Sequence, residues 1–233
     1  MKNNFITTKA TECLDCVVWG KNLASTVGEK FTRAELAMVR LPEYIQGVIV
    51  GLVLSDGWLR FGSYRSKNVI LGFAQSAIHG GYFWFVFFLL SHYCSTKVRL
   101  RERERLGKSH LIFDFATRAL PCLTELYHRF YEDKVKKIPE DIYELLTPVA
   151  LAHWIMGDGC RDHGFGLVLC TDSYSIEDIV TLMNVLIVRY GLVCTLRKSG
   201  KNFRIYIRKG SMPLLRDIVS GHMHRSMLDK IEA

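Results

Sequence analysis

The feature that most restricts the fold of this 233-residue chain is an apolar segment that follows a proline, ends in Asp-Gly and occurs twice. The first copy is PEYIQGVIVGLVLSDG, which ends at Asp56 and Gly57, and the second is PVALAHWIMGDG, which ends at Asp158 and Gly159. Asp-Gly between apolar runs is also a strong hairpin signal, so the first copy alone could equally form strand, tight turn and strand. The second copy decides between these two interpretations.

The second copy predicts a helix. Thr147 before Pro148 is a typical N-cap followed by proline at the first helical position, and the residues after it are mostly good helix formers. The first copy opens in a similar way, at Leu41 and Pro42. We therefore predict a helix in both places and discard the hairpin.

Small residues on both predicted helices favour a packed pair. Gly47 and Gly51 are four residues apart and hence lie on one helix face, where the lack of a side chain lets another backbone come close. Pro148 and Ala152 have the same spacing in the second copy. The two helices are expected to lie side by side.

The segments that follow the two copies also correspond. Each copy is followed by two strand-like runs, a helix, two more strand-like runs and a final helix, and the acids Asp56 and Asp158 are 102 residues apart. The sequence thus predicts an α+β fold of two pseudo-symmetric αββαββα halves. Its expected parts are an N-terminal extension at 1–41, with a helix near 32–39 packed on the first half, a first half at 42–131, a polar linker at 132–147 and a second half at 148–233.

Charge and hydropathy limit the class of partner. The formal charge of +8 favours a polyanion, either nucleic acid or an anionic membrane surface. The most apolar segment, 82–90, has less than half of the roughly 20 residues that span a bilayer. The N-terminus shows neither the apolar core of a signal peptide nor the Arg-rich pattern of a transit peptide. We expect no membrane partner and a protein that works where it is made.

The seven cysteines do not predict a zinc site. Only Cys13 and Cys16 form a CxxC pair, whereas a structural zinc ion needs four ligands at recognisable spacing. Free thiols are expected instead.

The segment KVRLRERERL predicts a strand with five cations on one face. In this period-two pattern the cations alternate with apolar and acidic residues; they are Lys97, Arg99, Arg101, Arg103 and Arg105. At about 3.3 Å per residue the face is long enough to follow a DNA groove. An edge strand kept soluble by charge is the alternative. Because all five cations lie on one side of the strand, we favour a surface that binds nucleic acid over a merely solubilising edge.

The two Asp-Gly segments resemble the paired motifs of a known family. IVGLVLSDG (49–57) and LAHWIMGDG (151–159) look like the two copies of the LAGLIDADG motif, and the chain resembles a single-chain LAGLIDADG homing endonuclease of organellar introns over about residues 42–231. The identical letters are Gly51, Leu52, Asp56 and Gly57 in the first copy, and Leu151, Ala152, Ile155, Asp158 and Gly159 in the second.

The resemblance implies saddle-shaped antiparallel sheets that lie along the major groove of double-stranded DNA. There, arginine side chains can read guanine edges while other cations hold phosphates. The expected DNA contacts are Arg60, Tyr64, Arg65, Lys67, Gln75, Lys97, Arg99, Arg101, Arg103, Arg105, Arg197, Lys198, Lys201, Arg204, Tyr206 and Arg208.

The resemblance also gives the motif acids a role. With the negative ends of two helix dipoles, Asp56 and Asp158 make a site for a hard divalent cation, with Ser55 and Gly157 as further candidate ligands. Magnesium is the expected cofactor; manganese should substitute for it, and calcium should support binding without cleavage.

The family pattern adds a cation after the last helix of each half. This pattern points to Lys136 and Lys230, although Lys134 and Lys137 are close neighbours of the first and leave the choice open. Gln75 in the first half, and Thr171 or Asp172 in the second, are weaker candidates for positioning water.

The function expected from these features is a monomeric, magnesium-dependent endonuclease that makes a staggered double-strand cut in a long, asymmetric DNA site. Within the family the main alternative is a maturase that binds its own intron RNA. A maturase would have the same fold, and one protein can combine both functions. A DNA-binding regulator on a degenerate fold is a weaker alternative, because both acids are kept. No protein partner is required, and the family implies a mitochondrial location.

Overall fold

The computed structural model of the chain describes residues 26–105 and 107–232, and at 105 and 108 it describes the backbone alone. The Cys13–Cys16 pair and the side chain of Arg105 lie outside this description. The chain has the predicted α+β fold, in which two halves with one antiparallel sheet each are joined through a central pair of helices.

The helices and strands follow in the predicted order. The first part of the chain contains α1 (Arg33–Met38), α2 (Glu43–Leu54), β1 (Gly57–Phe61), β2 (Val69–Ser76), α3 (Gly80–Leu90), β3 (Arg99–Arg105), β4 (Lys108–Ala116) and α4 (Pro121–Phe130). A short connection contains β5 (Tyr131–Glu132), β6 (Val135–Lys136) and α5 (Ile142–Leu145). The second half contains α6 (Pro148–Asp158), β7 (Gly159–Arg161), β8 (Leu167–Leu169), α7 (Ile176–Tyr190), β9 (Cys194–Ser199), β10 (Asn202–Ile207), α8 (Met212–Val219) and a 3-10 helix at Arg225–Lys230.

The two four-stranded sheets have the same topology. Their strand orders are β1-β2-β4-β3 and β7-β8-β10-β9, and every neighbouring pair is antiparallel. Gly57 pairs with Phe73 and Gly159 pairs with Leu169, so the glycine after each motif acid starts the corresponding edge strand. Positions in one sheet can therefore be matched to positions in the other.

Each sheet buries one face against helices. In the first sheet Phe73 and Phe115 are buried, and Phe83 of α3 stacks on Phe73 at a centroid distance of 5.8 Å. Leu169 and Ile205 are the buried residues at the matching positions of the second sheet. Because side chains alternate across a strand, the intervening residues project from the opposite face, which we call the open face.

The central pair, α2 and α6, packs backbone to backbone. A Cβ atom at Gly47 would lie 2.8 Å from Thr147 Oγ1, and one at Gly51 would lie 2.4 Å from the main-chain oxygen of Ala150. Side chains do not fit at such distances, so the glycine face predicted from the sequence is what allows the contact. Thr147 caps α6 as predicted, by accepting a hydrogen bond from Ala150 N.

Three local features differ from the sequence prediction. Pro42 is the N-cap of α2, with ψ of 154°, whereas Pro148 is the first residue of α6. Strand β3 begins at Arg99, so Lys97 precedes the strand predicted to contain it. The segment predicted as a polar linker contains the β5–β6 hairpin and α5, because Lys137 N donates a hydrogen bond to Phe130 O and closes a turn there.

Residues on either side of α1 pack on the first half, whereas α1 itself has no buried residue. Arg118 is buried and donates a hydrogen bond to Glu29 O at 3.0 Å, with its guanidinium 4.0 Å from the centroid of the Phe31 ring. Val39 belongs to the buried core.

Within the described ranges, the helices lack the combination of length and apolar character that a bilayer span requires. The cysteines at 94, 122, 160, 170 and 194 are free thiols.

Candidate active site and basic sheet faces

The C-terminal ends of α2 and α6 bring the two motif acids to one place. Asp56 follows α2, and Asp158 is the last residue of α6. A Cβ atom at Gly157 would lie 2.4 Å from Ser55 Oγ and 3.4 Å from Asp56 Oδ2, so the two helix ends touch at this glycine. The close contact along Gly47 and Gly51 is therefore what sets the acids side by side.

The electrostatics of the acids also show their proximity. Burial, followed by the negative charge of Asp56, raises the pKa of Asp158 to about 7, against the opposing effect of Lys136 and Lys230. Burial raises the pKa of the Tyr82 hydroxyl, and the negative charges of Asp56 and Asp158 raise it as well. Each carboxylate is therefore close enough to affect the ionisation of the same neighbouring groups.

Each central helix has one lysine at its C-terminal end. Lys136 Nζ donates a hydrogen bond to Val53 O at 2.7 Å, and Lys230 Nζ donates to Met156 O at 2.8 Å and to Gly157 O at 3.2 Å. Burial lowers the pKa of both lysines, and the two acids oppose that shift. A cation at a helix C-terminus is favoured by the helix dipole and by the unpaired carbonyl groups.

The structure separates Lys136 from the two neighbouring lysines. Lys137 Nζ forms an ion pair with Glu132 on the surface at 2.9 Å. Lys134 is exposed in the turn between β5 and β6, where its φ is 67°. Only Lys136, among these three, reaches the end of α2.

The residues beside the two acids are not the same. Gln75 Nε2 donates a hydrogen bond to Asp56 Oδ2 at 2.9 Å. The register places Thr171 at the matching position, but Thr171 is fully buried and donates to Phe203 O at 2.8 Å. Asp172, the next residue, is bound to Arg204 instead.

The donor set at the helix ends suits a hard divalent cation. Asp56 and Asp158 supply carboxylate oxygens, and the ends of α2 and α6 supply main-chain carbonyls nearby, which are the ligands that magnesium prefers. The raised pKa of Asp158 fits this interpretation, since a bound cation would balance the paired charges. Within the described ranges no group of three or more His, Cys, Asp or Glu side chains forms a separate metal site.

The open face of the first sheet carries arginines from β3. Arg99 and Arg101 pair across the ladder with Asp114 and Ile112, and Arg103 pairs with His110. Asp114 is buried beneath the first two arginines: it accepts from Arg99 Nη2, and its Oδ1 lies 2.7 Å from Arg101 Nε.

Two arginines of the second sheet are also held by carboxylates. Arg204 and Asp172 form a bidentate pair, with its shortest contact at 2.7 Å. Arg197 Nη1 lies 2.8 Å from Asp162 Oδ1, and its guanidinium lies 3.4 Å from the centroid of the Tyr206 ring.

The other predicted contacts with described side chains are exposed. Arg65 Nε donates to the hydroxyl of Tyr64 at 2.6 Å, in the loop between β1 and β2. None of these exposed cations forms an ion pair with another described residue; they are Arg60, Arg65, Lys67, Lys97, Arg103, Lys198, Lys201 and Arg208.

The carboxylates that hold the arginines were missed from the sequence. Asp114 is a single acid in the apolar run SHLIFDFAT, the same kind of signal that made Asp56 stand out. Asp162 follows a three-residue strand too short to show a period. Two tyrosines that join the halves were also missed: Tyr174 donates to Leu54 O, and Tyr82 bonds to His153.

Comparison with known proteins agrees with this architecture. The profile of the LAGLIDADG DNA endonuclease family matches residues 46–215. The homing endonuclease I-WcaI bound to its DNA recognition sequence superposes with a TM-score of 0.76 and 23% identity, over 83% of this chain and 88% of that one. At this identity the match supports the fold.

The curated relatives include three that are at least 30% identical to this chain. The cytochrome b mRNA maturase bI2 of Saccharomyces cerevisiae is 34% identical over 80% of this chain, and the intron-encoded endonuclease ai4 of Dictyostelium discoideum is 30% identical over 62% of it. The chain spans about half (47%) of the yeast protein and 96% of the Dictyostelium one. With the family profile covering most of its length, the chain belongs to the LAGLIDADG family, homologous to intron-encoded homing endonucleases.

Proposed function

We propose that this protein is a site-specific homing endonuclease that hydrolyses one phosphodiester bond in each strand of a long, asymmetric DNA site and leaves a staggered break. The observation that carries the proposal is the meeting of Asp56 and Asp158 at two adjoining helix ends, with Lys136 and Lys230 beside them. One acid and one lysine at the end of each central helix suit one cut per strand.

The two acids would hold the divalent cation, with Ser55 and Gly157 next to them. When bound, magnesium supplies an activated water and stabilises the leaving oxygen of the phosphodiester. Manganese should replace it, and calcium should support DNA binding without a cut. The arrangement needs no second copy of the chain, so the proposed enzyme acts as a monomer.

Each remaining group has a separate role in the proposal. Lys136 and Lys230 keep positive charge beside the acids, where it stabilises the charge that develops on the phosphate. Gln75 orients the carboxylate of Asp56 through its 2.9 Å hydrogen bond. In the second half the position that matches Gln75 is Thr171, which is turned to Phe203 O, and the next residue, Asp172, is held by Arg204, so neither of them serves Asp158 in this way.

The open faces of the two sheets would lie in the major groove. The strands carry arginines at alternate positions, and exposed cations lie in the loops next to them. Arginines can read guanine edges from such a strand, while the surrounding cations hold phosphates and supply the salt-dependent part of the affinity.

A second function, binding of intron RNA as a splicing cofactor, is favoured by the relatives named as cytochrome b mRNA maturases. It would use the same fold and could coexist with the nuclease. The same relatives support an origin in an organellar intron and action in the mitochondrion.

The test is cleavage of DNA from an allele that lacks the intron, spanning the insertion point, with magnesium and separately with calcium. We expect a discrete double-strand cut in magnesium and binding alone in calcium. Asp56→Asn and Asp158→Asn should each abolish the double-strand cut and keep binding in calcium, whereas Asp217→Asn, which changes an exposed acid of α8, should leave both unchanged. Loss of calcium-supported binding with either motif variant would instead assign the acids a structural role.

A further inference from the structure

The open face of the first sheet contains one acid among its arginines. Asp114 is 6% exposed, while the side chains of Arg99 and Arg101 above it are 54% and 57% exposed. Arg101 places two nitrogens on this carboxylate, Nε at 2.7 Å from Oδ1 and Nη2 at 3.2 Å from Oδ2, and Arg99 donates through Nη2. Part of each guanidinium fork remains free for a ligand.

Neither stability nor affinity alone accounts for this acid. Removing a carboxylate from water is costly, and ion pairs of exposed arginines contribute little to stability. On a surface that binds a polyanion the acid also lowers the local positive charge and so weakens attraction to phosphate. Asp114 does fix the orientation of the flexible Arg99 and Arg101 side chains, because a planar guanidinium group that is bound along one edge cannot rotate freely.

A fixed arginine beside a carboxylate fits a base edge better than a phosphate. The carboxylate would repel a phosphate brought next to it, whereas the floor of the major groove presents neutral acceptors. The fork geometry matches the O6 and N7 acceptors of guanine. Residues two apart on a strand are about 6.7 Å apart, close to the rise of two base pairs, so Arg99 and Arg101 can address two base pairs about two steps apart.

The second sheet repeats the arrangement with a different acid. The sheet registers place Phe115 and Ile205 at matching positions, and hence Arg99 and Arg197 also match. Arg99 is held by Asp114 from β4, but Arg197 is held by Asp162, which follows β7. The position that matches Asp114 in the second sheet is Arg204, which cannot supply a carboxylate. The two matched arginines, Arg99 and Arg197, are therefore held by acids from different parts of their halves.

We propose that Asp114 is a specificity-determining residue, which positions Arg99 and Arg101 to read two guanines in duplex DNA, and that Asp162 does the same for Arg197 in the other half. This inference rests on the proposed DNA-binding function. It separates the carboxylate-held arginines, which read bases, from unpaired cations on the open face or at its rim, such as Arg103 and Lys201, which hold phosphates.

The experiment compares Asp114→Asn with Lys201→Ala, which removes an exposed cation of the β9–β10 turn, both measured in calcium so that no DNA is cut. Binding is measured against the preferred site, against all single base-pair changes in that site and against unrelated duplex DNA, at several salt concentrations. Asparagine keeps the shape of the side chain, and a thermal unfolding midpoint near that of the wild type shows that each variant is folded.

For Asp114→Asn we expect the ratio of specific to unrelated binding to fall about tenfold, with preference lost at two base pairs about two steps apart. Binding to unrelated DNA and the slope of log K against log salt should stay the same or increase slightly. Arg99→Ala and Arg101→Ala should each lose preference at one of those base pairs. Lys201→Ala should weaken binding to every sequence alike and reduce the salt slope by about 0.9.

Two results would overturn the proposal while leaving the nuclease intact: full base preference in Asp114→Asn, or an equal loss of binding to all sequences. A variant that unfolds is replaced by Arg99→Ala together with Arg101→Ala, whose undiminished preference would overturn it equally. Wild-type protein that shows no sequence preference for duplex DNA, or binds only structured RNA, would refute the proposed function and this inference together.

Discussion

Among single residues, the lysines at the helix ends have the most direct measurable consequence. Two roles are open to Lys136: it donates to Val53 O near the end of α2 and to Gly57 O, and it lies close enough to both acids for each to affect its pKa. If Lys136 only caps the helix, removing its charge should affect stability. If it also stabilises the developing charge on the phosphate, removing the charge should lower the rate of cleavage.

We predict that Lys136→Met lowers the rate of double-strand cleavage by about 100-fold, the usual effect of removing one group that stabilises developing charge. Binding in calcium should change little. Lys137→Met is the matched control, because Lys137 is paired with Glu132 on the surface and should retain full activity. Single-turnover cleavage in magnesium measures the first quantity. Equal losses in the two variants would contradict the assignment.

The sequence was informative about residues only where a pattern repeated. Asp56 and Asp158 could be found because each ends an apolar run in the same way, and neither copy would have sufficed alone. The choice among Lys134, Lys136 and Lys137 could not be made, since it depends on a turn at positive φ in the β5–β6 hairpin.

Pairings between side chains far apart in the chain were outside the reach of the sequence. Arg99 and Asp114 are on adjacent strands, and the period of β3 shows that Arg99 is on the charged face without showing what lies across from it. The same holds for Arg197, whose acid comes from a loop in a different part of the half.

At the scale of elements, the α2–α6 contact determines whether the site exists. Gly51 is in the middle of a helix, where alanine would ordinarily be favoured by about 1 kcal/mol. Here an added Cβ would lie 2.4 Å from Ala150 O and 2.5 Å from His153 Cβ, so a backbone must move. Overpacking of this kind typically costs about 1–3 kcal/mol, which outweighs the gain in propensity.

We therefore predict that Gly51→Ala destabilises the protein by about 1–2 kcal/mol, because the overpacking cost exceeds the gain in helix propensity. It should also reduce cleavage more than DNA binding, since it separates the helix ends that carry the acids. Gly210→Ala is the control, because a Cβ there meets nothing within 4 Å. Denaturant unfolding measures the first effect and paired cleavage and binding assays the second. Unchanged stability in Gly51→Ala would mean that the helices can shift apart without cost.

Element types and their order followed from the sequence, but element ends did not. Period-two alternation runs through KVRLRERERL from Lys97, yet the ladder with β4 starts at Arg99 and Asp114, although β4 itself continues to Ala116. The alternation of one strand does not show where its pairing begins. The segment at 132–147 has a polar composition, and its short hairpin depends on backbone hydrogen bonds that composition does not indicate.

At the scale of the molecule, the two halves share a topology but differ in the reach of one hairpin. Matching the registers, the pair Arg101–Ile112 corresponds to Ser199–Asn202, where the β9–β10 hairpin stops. The β3–β4 hairpin continues for the pairs Glu102–Leu111, Arg103–His110, Glu104–Ser109 and Arg105–Lys108. At about 3.3 Å per residue, these four pairs extend the first sheet by about 13 Å beyond the second.

This longer hairpin predicts an asymmetric contact with DNA. Replacing residues 102–111 by Gly-Lys, the two residues that connect Ser199 to Asn202, would give the first half the turn of the second. We expect the protected DNA to shorten on one side only, with the salt slope of binding reduced by about 0.9 for each phosphate that the protein no longer neutralises. The central acids are untouched, so cutting at high protein concentration should persist. Footprinting and salt titration measure both quantities. Equal shortening on both sides, or none, would show that the extension does not contact DNA and that the asymmetry of the site arises elsewhere on the open faces.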